Sequence, residues 1–250
     1  MSGHNKWSSI KHQKGIADAK RGQLFTKLSR EIILSVKQGG GNPDGNARLR
    51  LAIQKAKDAS MPNDNIKRCI EKGLGTAEGS QMFEAVFEGY GPGGSALMIE
   101  VLGDNRNRAV QEIRSALNRA GGNLGADGSV SWKFVQHGII NVDGEGLDED
   151  EFMMQALDAG AEDITSDDGY FEVITAPSDL EDVRSKLEAA GIKIESAEVS
   201  LVPTTPADID EKTALQLLKL IDKLEEMDDV QHVYTDVNFS DEVMEKYESQ

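Results

Sequence analysis

Hydrophobic positions in the first third of the chain fall on a helical period. Between Lys20 and Gln38, Leu24, Leu28, Ile32 and Val36 recur every fourth residue with Phe25 and Ile33 beside them, the stripe of one buried helix face. GGGNPDG (39–45) stops that helix, because glycine suits a C-terminal cap and proline cannot continue the backbone hydrogen bonds. A second helix is predicted from about Asn46, burying Leu49, Ala52, Ile53 and Ala56 and ending before Pro62. Asn63 or Asp64 is placed to cap a third, which uses Ile66, Cys69 and Ile70 and is closed by Gly73 and Gly75. Three helices of this length form a small bundle.

Beyond about residue 80 the pattern shortens. Ala85–Phe87 and Ala96–Leu102 predict strands joined by the glycine-rich turn GYGPGG (89–94). A helix over Arg106–Arg119 turns Val110, Ile113, Ala116 and Leu117 inward and closes at Gly121-Gly122. Val130–Val135 and Ile139–Val142 read as a hairpin across His137-Gly138. Helix Glu149–Ala159, strand Tyr170–Thr175, helix Ser178–Ala190 and strand Lys193–Leu201 follow, so the middle of the chain reads as a βαββαβ-like unit. Pro203 and TTPAD (204–208) bound it as a linker. A helix (Lys212–Met227), a strand (Val230–Val237) and a polar tail complete the chain.

The ββα stretch before the middle unit and the αβ stretch after it cannot each bury two faces alone, and joining them makes one layered domain. The expectation is an α+β protein: an N-terminal three-helix bundle followed by two small α/β domains of ferredoxin-like pattern, one inserted in the other. The predicted boundaries are 1–77 for the basic helical domain, 78–131 plus 204–250 for the discontinuous domain, and 132–203 for the inserted acidic one.

Charge sharpens this division. The formal net charge is -17. Residues 1–75 carry 15 basic and 6 acidic side chains, a net of +9, and residues 76–250 carry 12 and 38, a net of -26. So large an asymmetry points to polyanion binding by the basic part, with the acidic body repelling phosphate and orienting the encounter. Docking of the basic helices on acidic neighbours within the chain is the competing reading. A charge of +9 in 75 residues exceeds what docking needs.

The cationic residues are ordered. Lys20, Lys27, Arg30 and Lys37 project from the first helix within an arc of roughly 100°, opposite much of its apolar stripe. Ahead of them, GHNKWSSIKHQKGIADAKRG (3–22) holds Lys6, Lys11, Lys14, Lys20 and Arg21 against Asp18 alone, has little apolar periodicity, and is expected to order on a phosphate backbone. Trp7 has two open readings, a base-stacking platform and a hydrophobic anchor for the arm; His12 joins the same set of nucleic-acid candidates. Arg48 and Arg50, with Lys55, Lys57, Lys67 and Arg68, extend the positive surface. In DNRNR (104–108), Asp104 or Asn105 suits a helix cap, while Arg106 and Arg108 oppose the helix dipole and hint at an anionic partner or a compensating acidic contact.

No enzyme class is indicated. His4, His12, His137 and His232 lack metal-pair spacing, and His137 is expected at an exposed turn. Cys69 is the single cysteine, on a helix face expected to be buried, which excludes an internal disulfide and a cysteine-cluster zinc site. GYGPGG lacks the Lys-Ser/Thr of a phosphate loop. The acidic run DGEGLDEDE (143–151) lacks the calcium-loop ligand pattern and suits a helix start. No apolar stretch approaches the ~20 residues of a membrane helix, and MSGHNKW opens no signal peptide. The expectation is a cytoplasmic, monomeric protein without cofactor or metal, partnered by nucleic acid, either ribosomal RNA or DNA.

GHNKWSSIKHQKGIADAKRGQLFTKLSREI (3–32), NARLRLAIQKAK (46–57), MPNDNIKR (61–68), FEGYGPGG (87–94), DNRNR (104–108) and GGNLGADGSVSWKF (121–134) together resemble the YebC/PmpR family, in order and over essentially the whole chain. The resemblance implies three domains and a nucleic-acid-contacting N-terminal domain without a catalytic site. Bacterial members are commonly labelled DNA-binding transcriptional regulators. Other members are mitochondrial translational activators, or ribosome-associated factors that help translation through proline-rich stretches.

Overall fold

A computed structural model of the chain describes residues 18–75, 82–167 and 169–249. The described chain begins with helices α1 (Asp18–Gly39), α2 (Ala47–Asp58) and α3 (Asn63–Leu74), then strands β1 (Phe83–Tyr90) and β2 (Ala96–Gly103), helix α4 (Arg106–Arg119) and the short β3 (Asn123–Leu124). Next come β4 (Phe134–Asp143), α5 (Glu149–Ala159), β5 (Asp163–Asp167), β6 (Tyr170–Thr175), α6 (Leu180–Ala189) and β7 (Ile194–Pro203). Helix α7 (Glu211–Glu225), strand β8 (Val230–Thr235) and helix α8 (Asp241–Glu248) finish it. The strands form two four-stranded sheets, ordered β3-β1-β2-β8 and β5-β6-β4-β7. The fold is mixed α/β. Its described residues divide into two compact units, 18–129 with 212–233 and 130–211 with 234–249.

In the first unit, α1, α2 and α3 share a core of Leu28, Ile32, Ile33 and Val36 with Leu49, Ala52, Ala56, Met61, Ile66 and Cys69. The four-residue stripe of α1 is therefore a buried face. Asn46 makes the sharp connection between α1 and α2. Its Oδ1 accepts from the Leu49 amide at 3.0 Å as the N-cap of α2, and its Nδ2 donates to the Ser35 and Gly40 carbonyls at 2.8 Å each. Two expectations change. Pro62 occupies the N-cap position of α3 with no side-chain cap, so neither Asn63 nor Asp64 caps it. Gly73 lies inside α3 rather than closing it: a Cβ there would stand 2.7 Å from Val36 Cβ and 3.1 Å from the Ile33 carbonyl oxygen. Glycine is required where α1 and α3 cross.

In the first unit's sheet, β1 pairs antiparallel with β2, Phe83 opposite Gly103 through Tyr90 opposite Ala96, and with β3 on its other side. Helix α4 turns Ala109, Ile113, Ala116 and Leu117 inward, and α7 buries Leu217, Leu218, Ile221 and Leu224. GYGPGG makes a tight turn, closed by the Gly91 amide donating to the Ser95 carbonyl at 2.8 Å. The loop at 125–129 is fastened to β1. Buried Glu88 accepts from the Gly128 amide at 2.7 Å, and the Tyr90 hydroxyl donates to the Ser129 carbonyl at 3.1 Å. These glycine-rich stretches hold one another.

The second unit's sheet is antiparallel throughout its pairings, with Phe152, Ala156, Leu180, Val183 and Leu187 of α5 and α6 packed on Ile140, Val142, Ile164, Phe171 and Val173. Its element order, βαββαβ, matches the unit read from the sequence, but by a different route. The expected hairpin across His137-Gly138 is absent: Phe134–Asp143 is one continuous strand, preceded by a 3-10 turn over Ser131–Lys133. Gly138 serves space rather than a turn, since a Cβ would lie 2.3 Å from Thr175 Oγ1 and 2.9 Å from Leu180 Cβ. His137 accordingly sits within a strand, half-buried, with Nδ1 3.4 Å from Glu162 Oε2. The additional strand is β5. Asp148 caps α5, accepting from the Glu151 amide at 3.0 Å, which accounts for much of the acidic run. Past Pro203 the chain is pinned by the Thr204 amide on the Lys133 carbonyl at 2.8 Å. The expected polar tail instead contains α8, with Val243 and Met244 buried.

Candidate nucleic-acid interface

The basic face of α1 does two different things. Gln23, Lys27 and Arg30 repeat at i, i+4 and i+7 and therefore share one face. All three donate to carbonyls at or just beyond the C-terminal end of α7: Gln23 to Glu226 at 3.3 Å, Lys27 to Glu225 at 2.7 Å, and Arg30 to Asp228. A helix C-terminus presents unsatisfied carbonyls and the negative end of its dipole, so cations delivered from another helix cap it. Lys37 lies further along α1 and is exposed. Arg21 is exposed near its start.

Arg30 also meets Asp229 (Nη1 to Oδ1, 3.0 Å), and Arg108 meets the other oxygen of the same carboxylate (Nη2 to Oδ2, 2.9 Å). The Asp229 side chain is 5% exposed. Arg108 bonds Asp104 at 2.8 Å as well, and hydrogen bonding to Asp229 is the main reason its pKa is raised. This is the compensating acidic contact foreseen for DNRNR. Asn105, rather than Asp104, caps α4, accepting from the Arg108 amide at 3.0 Å. The carboxylate that joins Arg30 to Arg108 was missed in the sequence. Its only local signal is the acidic pair Asp228-Asp229 just after a predicted helix end.

Arg48 is the second internal cation. Its guanidinium spans Glu31 (2.9 Å), Gln38 (2.8 Å) and Glu84 (2.5 Å), linking α1, α2 and β1. Hydrogen bonding to Glu84 raises the Arg48 pKa against the opposing effect of burial, with Glu31 adding to it. The same bond holds the Glu84 carboxyl below its usual 4.5.

Other candidates face outward. Arg50 is exposed with Nη1 3.1 Å from the Pro43 carbonyl, and exposed Arg106 lies 5.6 Å above the Phe87 ring, within cation–π range. Lys57, Lys67, Arg68 and Lys72 are exposed on α2 and α3. Lys20 lies in the first turn of α1, without a described side chain, and Lys6, Trp7, Lys11, His12 and Lys14 lie outside the described residues. The structure thus brings Arg30 and Arg108 together on one carboxylate and sets Arg48 apart on another pair. Arg114 and Arg119 on α4 were missed as candidates; both are exposed. Among the described residues, no group of His, Cys, Asp and Glu is arranged to hold a metal ion, and no helix is long and apolar enough to cross a membrane.

The fold and charge define a mixed α/β chain whose cationic side chains concentrate in an N-terminal helical region. Residues 5–76 match the family model of the TACO1/YebC protein N-terminal domain, and residues 82–237 match that of the TACO1/YebC second and third domain. The chain belongs to the TACO1/YebC family. Similar proteins include a probable transcriptional regulatory protein of Dehalococcoides mccartyi, 56% identical over all of both chains. Another of that name, from Desulfosudis oleivorans, is 53% identical over 98% of this chain and all of its own. Among solved structures, a conserved hypothetical protein from Aquifex aeolicus superposes with a TM-score of 0.84 at 45% identity, covering 92% of this chain and 95% of that one.

Proposed function

We propose that this protein is a nucleic-acid-binding regulator of gene expression that acts by binding rather than catalysis. Its target is the ribosome, where the basic N-terminal region contacts ribosomal RNA and relieves stalling at proline-rich stretches. The observation that carries this reading is the charge split: +9 over residues 1–75 on a body of -26. Such polarity confines phosphate contact to one end and disfavours wrapping of a long duplex. Family membership and the regulatory names of its relatives support the regulatory role. The mechanism is positional: RNA-bound helices stabilise a productive arrangement of transfer RNA. Because Lys27, Arg30 and Arg48 hold the fold together, the contact falls to the arm before α1 and to the outward cations of α2 and α3. The domain scheme goes with this reading, in which 1–77 binds and the bodies 78–131 plus 204–250 and 132–203 orient it; the separate core of α1–α3 supports it.

A second reading, promoter DNA, is favoured by the relatives' names and by α2 and α3. These two helices of 12 residues each are separated only by residues 59–62, and the second carries exposed Lys67, Arg68 and Lys72. Co-sedimentation with ribosomes decides between them. The ribosomal reading predicts that the protein enters ribosomal fractions and leaves them when Lys6, Lys11, Lys14, Lys20 and Arg21 are replaced by alanine. Absence from those fractions together with a footprint on a defined promoter establishes the DNA reading instead.

A further inference from the structure

Segment 78–131 carries seven acidic residues and only four basic ones, and all four are arginines on α4: Arg106, Arg108, Arg114 and Arg119. Arg108 is committed to Asp104 and Asp229, and Arg106 lies over Phe87. Arg114 and Arg119 are different. Both are exposed, and neither makes an ion pair or side-chain hydrogen bond with any described residue.

Their placement follows from the helical period. Counted from Gln111 at 100° per residue, Arg114, Ser115, Asn118 and Arg119 fall within an arc of about 140°. Ala109, Ile113, Ala116 and Leu117 occupy the opposite, buried side. The outward arc lines a shallow, open concavity of about 430 Å³, formed by Gln111, Arg114, Ser115, Asn118 and Arg119. A second of about 390 Å³ adjoins it, sharing Gln111, Ser115 and Arg119; Glu112 and Ala116 of α4 also line it, and Lys223 and Met227 at the C-terminal end of α7 complete it. Arg114 and Arg119 thus line the first concavity and Arg119 and Lys223 the adjoining one, so that two helices of one unit deliver three cations, against the single carboxylate of Glu112, to one continuous surface between α4 and α7.

We propose that this groove between α4 and α7 is a second phosphate-binding surface for the nucleic acid bound by the N-terminal region. The inference rests on the function proposed above and adds to it a contact on the acidic part of the chain. Arginine binds phosphate through a planar fork of donors, which a lysine does not offer. Arg114 and Arg119 are separated by about 7.5 Å along the helix axis, on the order of two nucleotide rises of one strand. On the same arc, the Gln111 and Asn118 amides each present donors and an acceptor. A nucleic acid presents phosphate acceptors to the arginines together with sugar hydroxyls and base-edge groups to the amides, and the spacing of the two arginines matches its phosphate repeat.

The test uses the full chain, purified ribosomal RNA as the probe and filter binding across a salt series. Two variants are compared with the unmodified protein: a groove variant (Arg114→Gln, Arg119→Gln, Lys223→Gln) and an arm variant (Lys6→Ala, Lys11→Ala, Lys14→Ala). Because the groove residues are exposed, the groove variant is expected to unfold at the wild-type temperature. It should bind RNA about tenfold more weakly, with a salt slope shallower by about 2, from roughly 0.7 per lost contact on single strands. In parallel, RNA should protect Arg114 and Arg119 from phenylglyoxal. Unchanged affinity and slope in the groove variant, while the arm variant is weakened, overturns the groove and leaves the proposed function standing. Failure of the unmodified protein to bind RNA or DNA overturns both. Protection of the two arginines by a polyglutamate peptide but not by RNA overturns the groove in favour of an acidic protein partner.

Discussion

Replacing Arg30 with alanine separates two roles that a basic residue on α1 can have. Arg30 keeps 21% exposure, and its partner Asp229 keeps 5%. The side chain makes a 3.0 Å ion pair to that carboxylate and a hydrogen bond to the Asp228 carbonyl. Removing one member of a fully buried pair costs about 3–5 kcal/mol, and an exposed pair is worth about 0–1 kcal/mol. Arg30 lies nearer the buried limit, but Asp229 retains a second arginine, which softens the loss; about 2 kcal/mol is expected. For a chain of this size that is a melting temperature lower by about 4–8 °C. Urea unfolding at pH 7 should show a lower midpoint with an unchanged slope. A double-mutant cycle with Asp229→Asn should give a coupling of about 1 kcal/mol. Affinity for ribosomal RNA, measured well below the transition, should change less than twofold. A variant as stable as wild type that binds RNA tenfold more weakly would refute the reasoning, because Arg30 would then be an RNA contact and its docking on α7 incidental.

Three further outcomes follow from the packing and the charges. Gly73→Val should destabilise by about 1–3 kcal/mol, the cost of overpacking a close crossing, because even a Cβ meets Val36 at 2.7 Å; urea unfolding measures it. Asn46→Ala should cost about 2 kcal/mol, at the upper end for an N-cap, since the lost side chain also bonds Ser35 and Gly40; a loss below about 0.5 kcal/mol contradicts the capping role. The Arg48–Glu84 pair should be pH-dependent. Glu84 titrates below its usual 4.5 in the folded chain, so its contribution is complete above that value and disappears as pH falls through the depressed folded value. The stability difference between wild type and Arg48→Ala should therefore be present at pH 7 and shrink towards pH 3. A difference that does not shrink as pH falls below 4.5 contradicts the assignment.

The helices are legible in the sequence because their apolar spacing is strict: Leu24, Leu28, Ile32 and Val36 mark one face. Glycine was less legible, since the same residue serves conformation in one place and space in another. Gly138 reads as a turn beside His137, yet it stands mid-strand because Thr175 and Leu180 leave no room for a Cβ. Strand β5 was missed because Asp163–Asp167 buries a single apolar side chain, Ile164, among polar neighbours. Helix α8 hides in a polar segment for a similar reason, with Val243 and Met244 as its buried residues. The site was legible in its charge and not in its partners. Lys27 and Glu225 are 198 residues apart, and no local pattern tells that the end of α7 meets α1. The docking reading holds for Lys27, Arg30 and Arg48, which bond within the chain, and the proposed polyanion contact is assigned to the other cations.

The most direct measurement is ultraviolet crosslinking in cells, with the crosslinked peptides and the attached nucleic acid both identified. The account predicts ribosomal RNA joined to the segment Gly3–Gly22 and to the outward faces of α2 and α3, and none joined through Lys27, Arg30 or Arg48. Crosslinks carrying promoter DNA alone, or ribosomal RNA attached elsewhere and not to the N-terminal region, would contradict it.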